Sequence, residues 1–328
     1  MAGQVEGPRV IRGEGSWFEI GRQYGEELRA EIADAAGAIE ALAVAAGHDR
    51  ARLDARIHDF IPYAQELPDR WDELAGVAQG SGLPIEDVLL MQLLEDLLDA
   101  DACTTAGRAG FLLHAEMWFP SHTDYAVFIS SPAGGPPVIT ASCVGFLTGV
   151  GLNASGFALG VQSIPCRDAR MGVPRAMVSR SALCAPTAAG AAREATGYHR
   201  SGGNGFLIVT PTGAQVIETS AAIGDVTEER PWGAHTNHYV SGKFQSVAIS
   251  KGETCQRLDE ALAAVGSVSD QELRERGRSV VQTSGFVPHS PSGSTVTAFV
   301  MLADVEHGWV ETASGGGGAG PWARAALP

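Results

Sequence analysis

The chain has 328 residues, of which 45% are hydrophobic and 19% are charged, so it is long enough to bury a large core. Its 38 acidic and 23 basic residues give a formal net charge of −15, which opposes binding to nucleic acid or to an anionic membrane. The N-terminus lacks the pattern of a secretion signal, and no run of about 18 apolar residues could span a bilayer. We therefore expect a soluble cytoplasmic protein with no nucleic-acid or membrane partner.

Helices are predicted for most of the first third of the chain. Apolar residues recur at helical spacing over residues 17–98, with clear segments at 71–79 and 85–98. Pro84 stands just before one of these segments, where its fixed φ favours the start of a helix. From Phe111 onward, short apolar runs are separated by Gly, Pro, Asn and Ser, which predicts strands joined by turns.

The rest of the chain is predicted to mix helices and strands. Two helices are expected near residues 174–183 and 186–194, and a third near 253–265. Strands are expected on both sides of Pro-Thr-Gly in FLIVTPTGAQVIETS (206–220), and again in STVTAFVMLADVEHGWVETAS (294–314). This order favours antiparallel sheets covered by helices over a doubly wound parallel sheet. The run GGGGAG near the C-terminus is expected to be a flexible tail.

The five cysteines are odd in number and widely spaced, and they form no CxxC pair; they stand at positions 103, 143, 166, 184 and 255. In a reducing cytosol the default expectation for each is a small buried hydrophobic side chain. Cys103 differs in its position, because DADACTT (99–105) lies between the helical third and the strand-rich remainder. A chain cut before Cys103 would expose a new N-terminus at the start of a strand.

Several segments occur in one order along most of the chain: GSWFEIGRQYG (15–25), LAGVAQGSGLPIEDVLLMQ (74–92), ACTT (102–105), GVGLNASGFALGVQS (149–163), GVPRAMVSRSAL (172–183), FLIVTPTGAQVIETS (206–220) and HTNHY (235–239). Together they resemble the acyl-coenzyme A:isopenicillin N acyltransferase family, peptidase family C45 of the cysteine N-terminal nucleophile (Ntn) hydrolases. The resemblance implies an α+β fold, a four-layer αββα sandwich in which two antiparallel sheets lie between helical layers. It also implies a helical N-terminal segment at 1–102, a propeptide or α chain, and a catalytic portion at 103–328, within one structural unit.

The resemblance assigns a nucleophile to the site. Members of this family break the peptide bond before a cysteine, which here is the Ala102–Cys103 bond. The freed α-amine then serves as the base for the thiol of the same residue, and the two groups have ordinary pKa values of about 8 and about 8.5. Cys103 would thus be both nucleophile and base, and its acyl-thioester would pass the acyl group to water or to an amine.

Other site residues follow from the same resemblance. Asn237 is implied as a donor to the oxyanion, a role in which one lost donor costs on the order of 3 to 4 kcal/mol. Ser220 falls where the family often keeps a hydroxyl, and Thr104 and Thr105 would help to pack or orient the nucleophile. The alternative is ordinary structure: a polar strand end bonded to backbone for Asn237, and plain strand positions for the three hydroxyl residues.

A metal site is not expected at HTNH. His235 and His238 could be ligands, but a catalytic zinc needs three protein ligands and the sequence nominates no third. The resemblance implies no metal and no organic cofactor. Coenzyme A thioesters remain candidate co-substrates.

The chain departs from the family at two places. Ala102 stands where relatives have a glycine, whose freedom helps a strained and cleavable peptide. In HAEMW (114–118), Ala115 and Met117 replace the asparagine and aspartate of relatives, which puts self-cleavage and the usual substrates in doubt.

The same segment offers two replacements for the missing aspartate. Glu116 or His114 could take over part of its role. By strand alternation these two residues and Trp118 share one face, while Ala115 and Met117 share the other. Alternation does not decide which of the two faces meets the nucleophile.

Three functions from different classes remain open. The first is a self-processed cysteine amidohydrolase or acyltransferase that acts on a small amide or acyl-thioester. The second keeps Cys103 as the nucleophile of an uncut chain, with His114 or His238 as base, and would suit acyl transfer or ring closure in secondary metabolism. The third is a non-catalytic family member that binds a ligand in the old pocket. The sequence leaves the oligomeric state open.

Overall fold

The computed structural model describes residues 8–98, 103–249, 252–283, 286, 295–315 and 320–328. The described residues before Cys103 form β1 (Arg9–Gly15), α1 (Trp17–Glu27), α2 (Arg29–Ala45), α3 (Arg50–Ala64), α4 (Pro68–Ser81), α5 (Ile85–Gln92) and α6 (Leu94–Leu97). Ser16 and Glu19 form a capping box that begins α1, and Pro68 occupies the first turn of α4, where no N–H partner is needed. The helical character predicted for this part is present, whereas β1 was not predicted.

Strands dominate the chain after Cys103. They are β2 (Thr104–Arg108), β3 (Phe111–Trp118), β4 (Tyr125–Pro132), β5 (Val138–Cys143), β6 (Gly151–Asn153), β7 (Phe157–Ile164), β8 (Gly203–Val209), β9 (Ala214–Thr219), β10 (Gly224–Val226), β11 (Trp232–His235), β12 (Val296–Asp304), β13 (Trp309–Ser314) and β14 (Ala323–Ala326). The helices of this part are α7 (Arg175–Leu183), α8 (Ala188–Gly197), α9 (Gly252–Gly266) and α10 (Asp270–Thr283).

The strands form two sheets. The eight-stranded sheet has the order β1-β4-β5-β6-β7-β8-β9-β10, and the six-stranded sheet has the order β11-β2-β3-β12-β13-β14. Neighbouring strands in the described chain are antiparallel, except that β1 pairs in parallel with β4. The hairpin predicted at Pro-Thr-Gly joins β8 to β9, with Val209 opposite Ala214.

The two sheets lie face to face between helical layers. Helices α1, α7 and α8 pack against the eight-stranded sheet, and α9 and α10 pack against the six-stranded sheet. Across the interior, β2, β3 and β12 contact β6, β7 and β8. The predicted α+β class and four-layer αββα sandwich are therefore confirmed. Within the described ranges, no helix is long and apolar enough to cross a membrane.

The residues before Cys103 belong to the same core as those after it. Strand β1 extends the eight-stranded sheet, with Ile11 opposite Phe128 of β4. Tyr24 of α1 packs its ring 4.9 Å from the ring of Phe128, and its hydroxyl accepts the backbone N–H of Gly145. The N-terminal segment therefore completes both a sheet and a hydrophobic core.

The sequence analysis did not predict β10, β11, α10 or β14. Helix α10 begins at a capping box in which Ser269 and Glu272 hydrogen-bond to each other's backbone N–H, a signal that SVSDQE carries in the sequence. Strand β14 pairs with β13 at the edge of the six-stranded sheet. Most of the run expected to be a flexible tail lies outside the described residues.

Helices α1 and α4 cross at glycines that bring their backbones together. A Cβ atom at Gly21 would lie 1.9 Å from the carbonyl oxygen of Glu73, and one at Gly76 would lie 2.1 Å from that of Phe18. Gly25 and Gly80 face the partner helix at similarly short distances. Only residues without a side chain fit this crossing.

We expect Gly76→Ala to lower the free energy of unfolding by about 1–3 kcal/mol, because the added methyl group must push the two helix backbones apart. Gly37→Ala is the matched control. Gly37 is an exposed residue of α2, and a Cβ there meets nothing within 4 Å, so that substitution should be neutral or stabilising by up to about 1 kcal/mol. Urea unfolding of both variants measures the difference, and equal stabilities would contradict the proposed role of the crossing.

Candidate active site

Cys103 lies immediately before β2 and faces the space between the two sheets. In the pairing of β2 with β3, Thr105 stands opposite His114, and continued register brings Cys103 opposite Glu116. Gln162 of β7 reaches across from the other sheet and donates a hydrogen bond to Thr105 Oγ1. The interior face of β3 is therefore the one with His114 and Glu116, which answers the question that strand alternation left open.

A hydrogen-bonded chain begins at the thiol. Cys103 Sγ donates to Glu116 Oε1 at 3.3 Å, and Glu116 Oε2 lies 2.9 Å from His114 Nε2. His114 Nδ1 lies 2.7 Å from Thr105 Oγ1, which also accepts from Gln162. All five side chains are buried. The four side chains that the sequence nominated here are therefore brought together, and Gln162 is an addition that only the facing sheet supplies.

The surroundings of Cys103 favour the neutral thiol over the thiolate. Burial raises the pKa of the Cys103 thiol well above its ordinary value, and the negative charge of Glu116 adds to this effect. The backbone N–H of Met117 acts in the opposite direction. Met117 thus contributes its backbone at a position where the family has an aspartate side chain. A positive charge beside the sulfur is what this site needs in order to stabilise a thiolate.

Arg257 of α9 connects the main chain at the nucleophile to the HTNH segment. Its Nη1 donates to the carbonyl oxygen of Cys103 at 2.9 Å and to Thr104 Oγ1 at 2.8 Å. Its Nη2 donates to Asn237 Oδ1 at 3.1 Å. The sequence analysis did not single out this residue. A signal was present, because Arg257 lies on the same side of the helix as the buried Leu258 and Ala261.

Asn237 is fully buried and its amide orientation is fixed from both ends. Its Oδ1 accepts from Arg257, and its Nδ2 donates to the backbone carbonyl of Ser163 at 2.9 Å. An amide nitrogen carries two hydrogens, so Ser163 uses one of them. The second hydrogen is the one that can serve an oxyanion.

Glu218 of β9 holds the segment that carries Asn237. Its Oε1 lies 2.9 Å from His235 Nε2 and accepts the N–H of Val240 at 2.6 Å. Its Oε2 accepts the N–H of Ser241 at 2.8 Å. One carboxylate therefore fixes the segment on both sides of Asn237, a role that the sequence analysis did not assign.

The two histidines of HTNH serve different partners. His235 packs its ring over Gly205, where a Cβ would lie 2.2 Å from Nδ1. His238 Nδ1 lies 3.1 Å from Thr236 Oγ1 and 2.7 Å from Thr254 Oγ1, and burial lowers its pKa. In the described part of the chain, none of the hydrogen bonds of His238 reaches Cys103.

Ser220 lies in a turn after β9. Its Oγ donates to Asp168 Oδ2 at 2.7 Å and accepts the N–H groups of Ala222 and Ile223 at 3.3 and 3.0 Å. Among the described residues, its hydrogen bonds do not reach Cys103, Glu116 or Asn237. The structure therefore places Ser220 in a network separate from that of the thiol.

Three potential metal ligands meet at the nucleophile. One ligand atom from each of Cys103, His114 and Glu116 lies within 4.8 Å of the other two, and all three residues are buried. Within the described ranges this is the one cluster of His, Cys, Asp and Glu with such spacing. The Ala102–Cys103 bond that the resemblance marks for cleavage lies at the edge of the described residues, and Ala102 lies outside them.

A polar cavity of about 210 Å³ lies at the end of β7, the strand whose Ser163 carbonyl accepts a hydrogen bond from Asn237. Ile164, the residue after Ser163, lines it together with Arg175 and Asp96. Arg175 Nη1 donates to Ser163 Oγ at 2.5 Å, and its Nε donates to Asp96 Oδ1 at 3.3 Å. Burial raises the pKa of Asp96. The cavity wall is therefore one residue away from the carbonyl that holds Asn237.

No protein-family model matches the sequence, and no curated protein matches it. Solved structures with a similar arrangement include a Caenorhabditis elegans ortholog of N-acylethanolamine-hydrolyzing acid amidase, with a TM-score of 0.44 and 13% identity, covering 62% of this chain and 92% of that chain. Penicillin V acylase from Agrobacterium tumefaciens has a TM-score of 0.37 and 14% identity, covering 65% of this chain and 83% of that chain. At these TM-scores the likeness carries no weight for the activity of this chain.

We expect Glu218→Gln to lower the free energy of unfolding at neutral pH by about 1–3 kcal/mol, because it weakens three buried hydrogen bonds. Burial alone would raise the pKa of Glu218, but the bonds from His235, Val240 and Ser241 outweigh it and hold the pKa below its ordinary value. The stabilisation is therefore present above about pH 4.3 and is lost as the pH falls through the lowered pKa.

Urea unfolding at pH 7 and at pH 3 checks this expectation. The stability difference between the wild-type chain and Glu218→Gln should shrink at the lower pH. The control is Glu228→Gln, at an exposed position ten residues further along the chain. This substitution should leave the free energy of unfolding unchanged at both pH values. A wild-type advantage that grows on acidification would show that Glu218 is not ionised in the folded chain.

Proposed function

We propose that the chain is a cysteine-nucleophile amidohydrolase or acyltransferase, with Cys103 as the nucleophile. The observation that carries the proposal is the position of Cys103, immediately before β2. Its thiol donates a hydrogen bond to the buried carboxylate of Glu116, and its carbonyl oxygen accepts one from Arg257. This is where a chain cut before Cys103 would have its new N-terminus. The resemblance along the sequence supports the same assignment.

The proposed reaction passes through a thioester. The sulfur of Cys103 attacks the carbonyl carbon of a small amide or acyl-thioester, and the carbonyl oxygen becomes an oxyanion. Collapse of this intermediate expels the amine or thiol, which takes up the proton that left Cys103. Water or an acceptor amine then attacks the thioester and restores the thiol.

The oxyanion is assigned to the second Nδ2 hydrogen of Asn237. Since Arg257 holds Oδ1 and the Ser163 carbonyl holds one hydrogen, the amide cannot turn without losing both bonds. Donors that are fixed before the reaction stabilise developing charge without reorganisation. The positive charge of Arg257 near the Cys103 carbonyl adds to this stabilisation.

Two groups qualify as the base. In a cut chain the α-amine of Cys103 would take the thiol proton, and its ammonium form would lie close to Glu116, which supplies the countercharge that the missing family aspartate would give. In an uncut chain Glu116, oriented by His114, is the group in contact with the thiol. The second route is favoured by the observed hydrogen bond, and the first by the resemblance.

The N-terminal segment is proposed to remain bound after any cut. Strand β1 is paired in the eight-stranded sheet, and α1 contributes Ile20 and Tyr24 to the core shared with the rest of the chain. Removal of residues 1–102 would expose that core to water. We therefore assign this segment as an α chain and not as a released propeptide.

The substrate's variable group is assigned to the cavity beside Ser163.

We expect intact mass spectrometry of the purified protein to show a piece ending at Ala102 and a piece beginning at Cys103, which elute together in gel filtration. Cys103→Ala should remain whole at about 34.1 kDa and should lose both turnover and capture of a mild alkylating agent. Cys255→Ser, at an exposed cysteine, is the control and should behave as the wild type. If a wild-type chain that stays whole turns over substrate, the base is Glu116 and not the α-amine. If another cysteine is alkylated in preference, the assignment of Cys103 as nucleophile is wrong.

We expect Asn237→Ala to reduce kcat on a chromogenic anilide or a coenzyme A thioester by about 10²- to 10³-fold, because it removes an oxyanion donor. The rate of alkylation of Cys103 should change far less, since alkylation forms no oxyanion. Gln245→Ala, at an exposed position eight residues further along the chain, is the control for local disturbance. An unchanged kcat in Asn237→Ala would remove Asn237 from the oxyanion site.

A further inference from the structure

We infer that the site binds a zinc ion through Cys103 Sγ, His114 Nε2 and Glu116. The Sγ to Oε1 distance is 3.3 Å and the Nε2 to Oε2 distance is 2.9 Å. Tetrahedral zinc, with bonds of about 2.3 Å to sulfur and about 2.0 Å to nitrogen or oxygen, needs about 3.5 Å between S and O and about 3.3 Å between N and O. The two hydrogen bonds use different oxygens of Glu116, and one ligand atom from each of the three residues lies within 4.8 Å of the other two. A contraction of the cluster by no more than about 1.3 Å would bring the three ligand atoms to tetrahedral spacing.

The surroundings of His114 are those of a metal ligand. A ligating histidine turns one ring nitrogen to the metal and uses the other in a hydrogen bond that fixes its orientation. His114 directs Nε2 towards Glu116, and its Nδ1 is 2.7 Å from Thr105 Oγ1. Gln162 in turn holds Thr105 from the facing sheet. The imidazole is thus positioned by groups that lie outside the cluster itself.

Charge and ligand type both favour zinc. A thiolate and a carboxylate buried together carry two negative charges, and burial of charge is tolerated when a counterion neutralises it. A divalent cation does so completely. Sulfur and imidazole ligands suit zinc and similar metals, whereas magnesium and calcium prefer oxygen alone. Three protein ligands also leave a fourth position open for water.

The inference uses the same side chains as the proposed function but does not depend on the reaction. Zinc at this site occupies the sulfur of Cys103, and binding releases the thiol proton to solvent. The metal therefore blocks attack on a substrate and capture of an alkylating agent. The site would hold the nucleophile in a reversible, inactive form whenever zinc is available.

The test uses purified protein treated with a chelator and then titrated with zinc or with cobalt as a spectroscopic probe. We expect one metal ion per chain and, with cobalt, a thiolate-to-metal charge-transfer band together with the visible bands of tetrahedral cobalt. Cys103→Ser should abolish the charge-transfer band. His114→Ala and the nearly isosteric Thr105→Val should each weaken zinc binding by about 10- to 100-fold.

Two matched controls and a second readout complete the test. Cys255→Ser and His307→Ala, both at exposed positions, should retain wild-type affinity. Zinc should also slow alkylation of Cys103 in the wild type, and a chelator should reverse the effect. Absence of the charge-transfer band from folded wild-type protein, or its survival in Cys103→Ser, would overturn the inference.

The outcomes separate this inference from the proposed function. Turnover that needs Cys103 without any metal-thiolate band leaves the acyltransferase proposal standing and removes the zinc site. A metal-thiolate band in a protein that, after the metal has been removed with a chelator, neither cleaves itself nor turns over the anilide or the thioester supports the zinc site and removes the acyltransferase proposal.

Discussion

The register between β2 and β3 is the constraint on which the site depends. Thr105 stands opposite His114 across this pair, and the interior faces of both strands carry the reactive groups. A slip of one residue would turn His114 and Glu116 towards α9 and α10 and bring Ala115 and Met117 inside. Gln162 reinforces the register because it reaches Thr105 from the opposite sheet. The chemistry of the site is thus a consequence of strand pairing and of sheet packing together.

Glu116 is the side chain that contacts both Cys103 and His114, so each proposed role of the site involves it. It accepts the thiol of Cys103, contacts His114, and raises the pKa of the thiol by its charge. A buried carboxylate in this position needs a positive partner. The proposed α-ammonium of a cut chain and the proposed zinc ion are two different ways to supply it. Each gives the thiol a different reactivity, so the partner of Glu116 decides what Cys103 does.

A second set of contacts joins Asn237, the proposed oxyanion donor, to the main chain at Cys103. Glu218 fixes the segment around Asn237, and Arg257 ties Asn237 to the carbonyl of Cys103. These two charged side chains come from β9 and α9, far from the nucleophile in sequence. They show why the site requires the eight-stranded sheet, which contains β9, and also the helix layer outside the six-stranded sheet, which contains α9. The N-terminal helices support the same arrangement from the opposite layer, through the glycine crossing of α1 and α4.

The sequence by itself predicted the class of the fold and nominated four of the side chains that meet at the candidate site: Cys103, Thr105, His114 and Glu116. Periodicity, turn residues and the order of elements predicted antiparallel sheets covered by helices, because hydrophobic spacing records which face of each element is buried. The four-layer αββα sandwich was implied by the family resemblance. The capping box of α10 was present in the sequence, but β1 and β14 carry no comparable local signal because they depend on their partner strands. Only the tertiary structure decided that His114 and Glu116 face Cys103, that Ser220 lies elsewhere, and that Gln162, Glu218 and Arg257 join the site. The contacts of Gln162 with Thr105 and of Arg257 with Cys103 join residues 57 and 154 positions apart, and local spacing along a chain does not encode which distant elements meet.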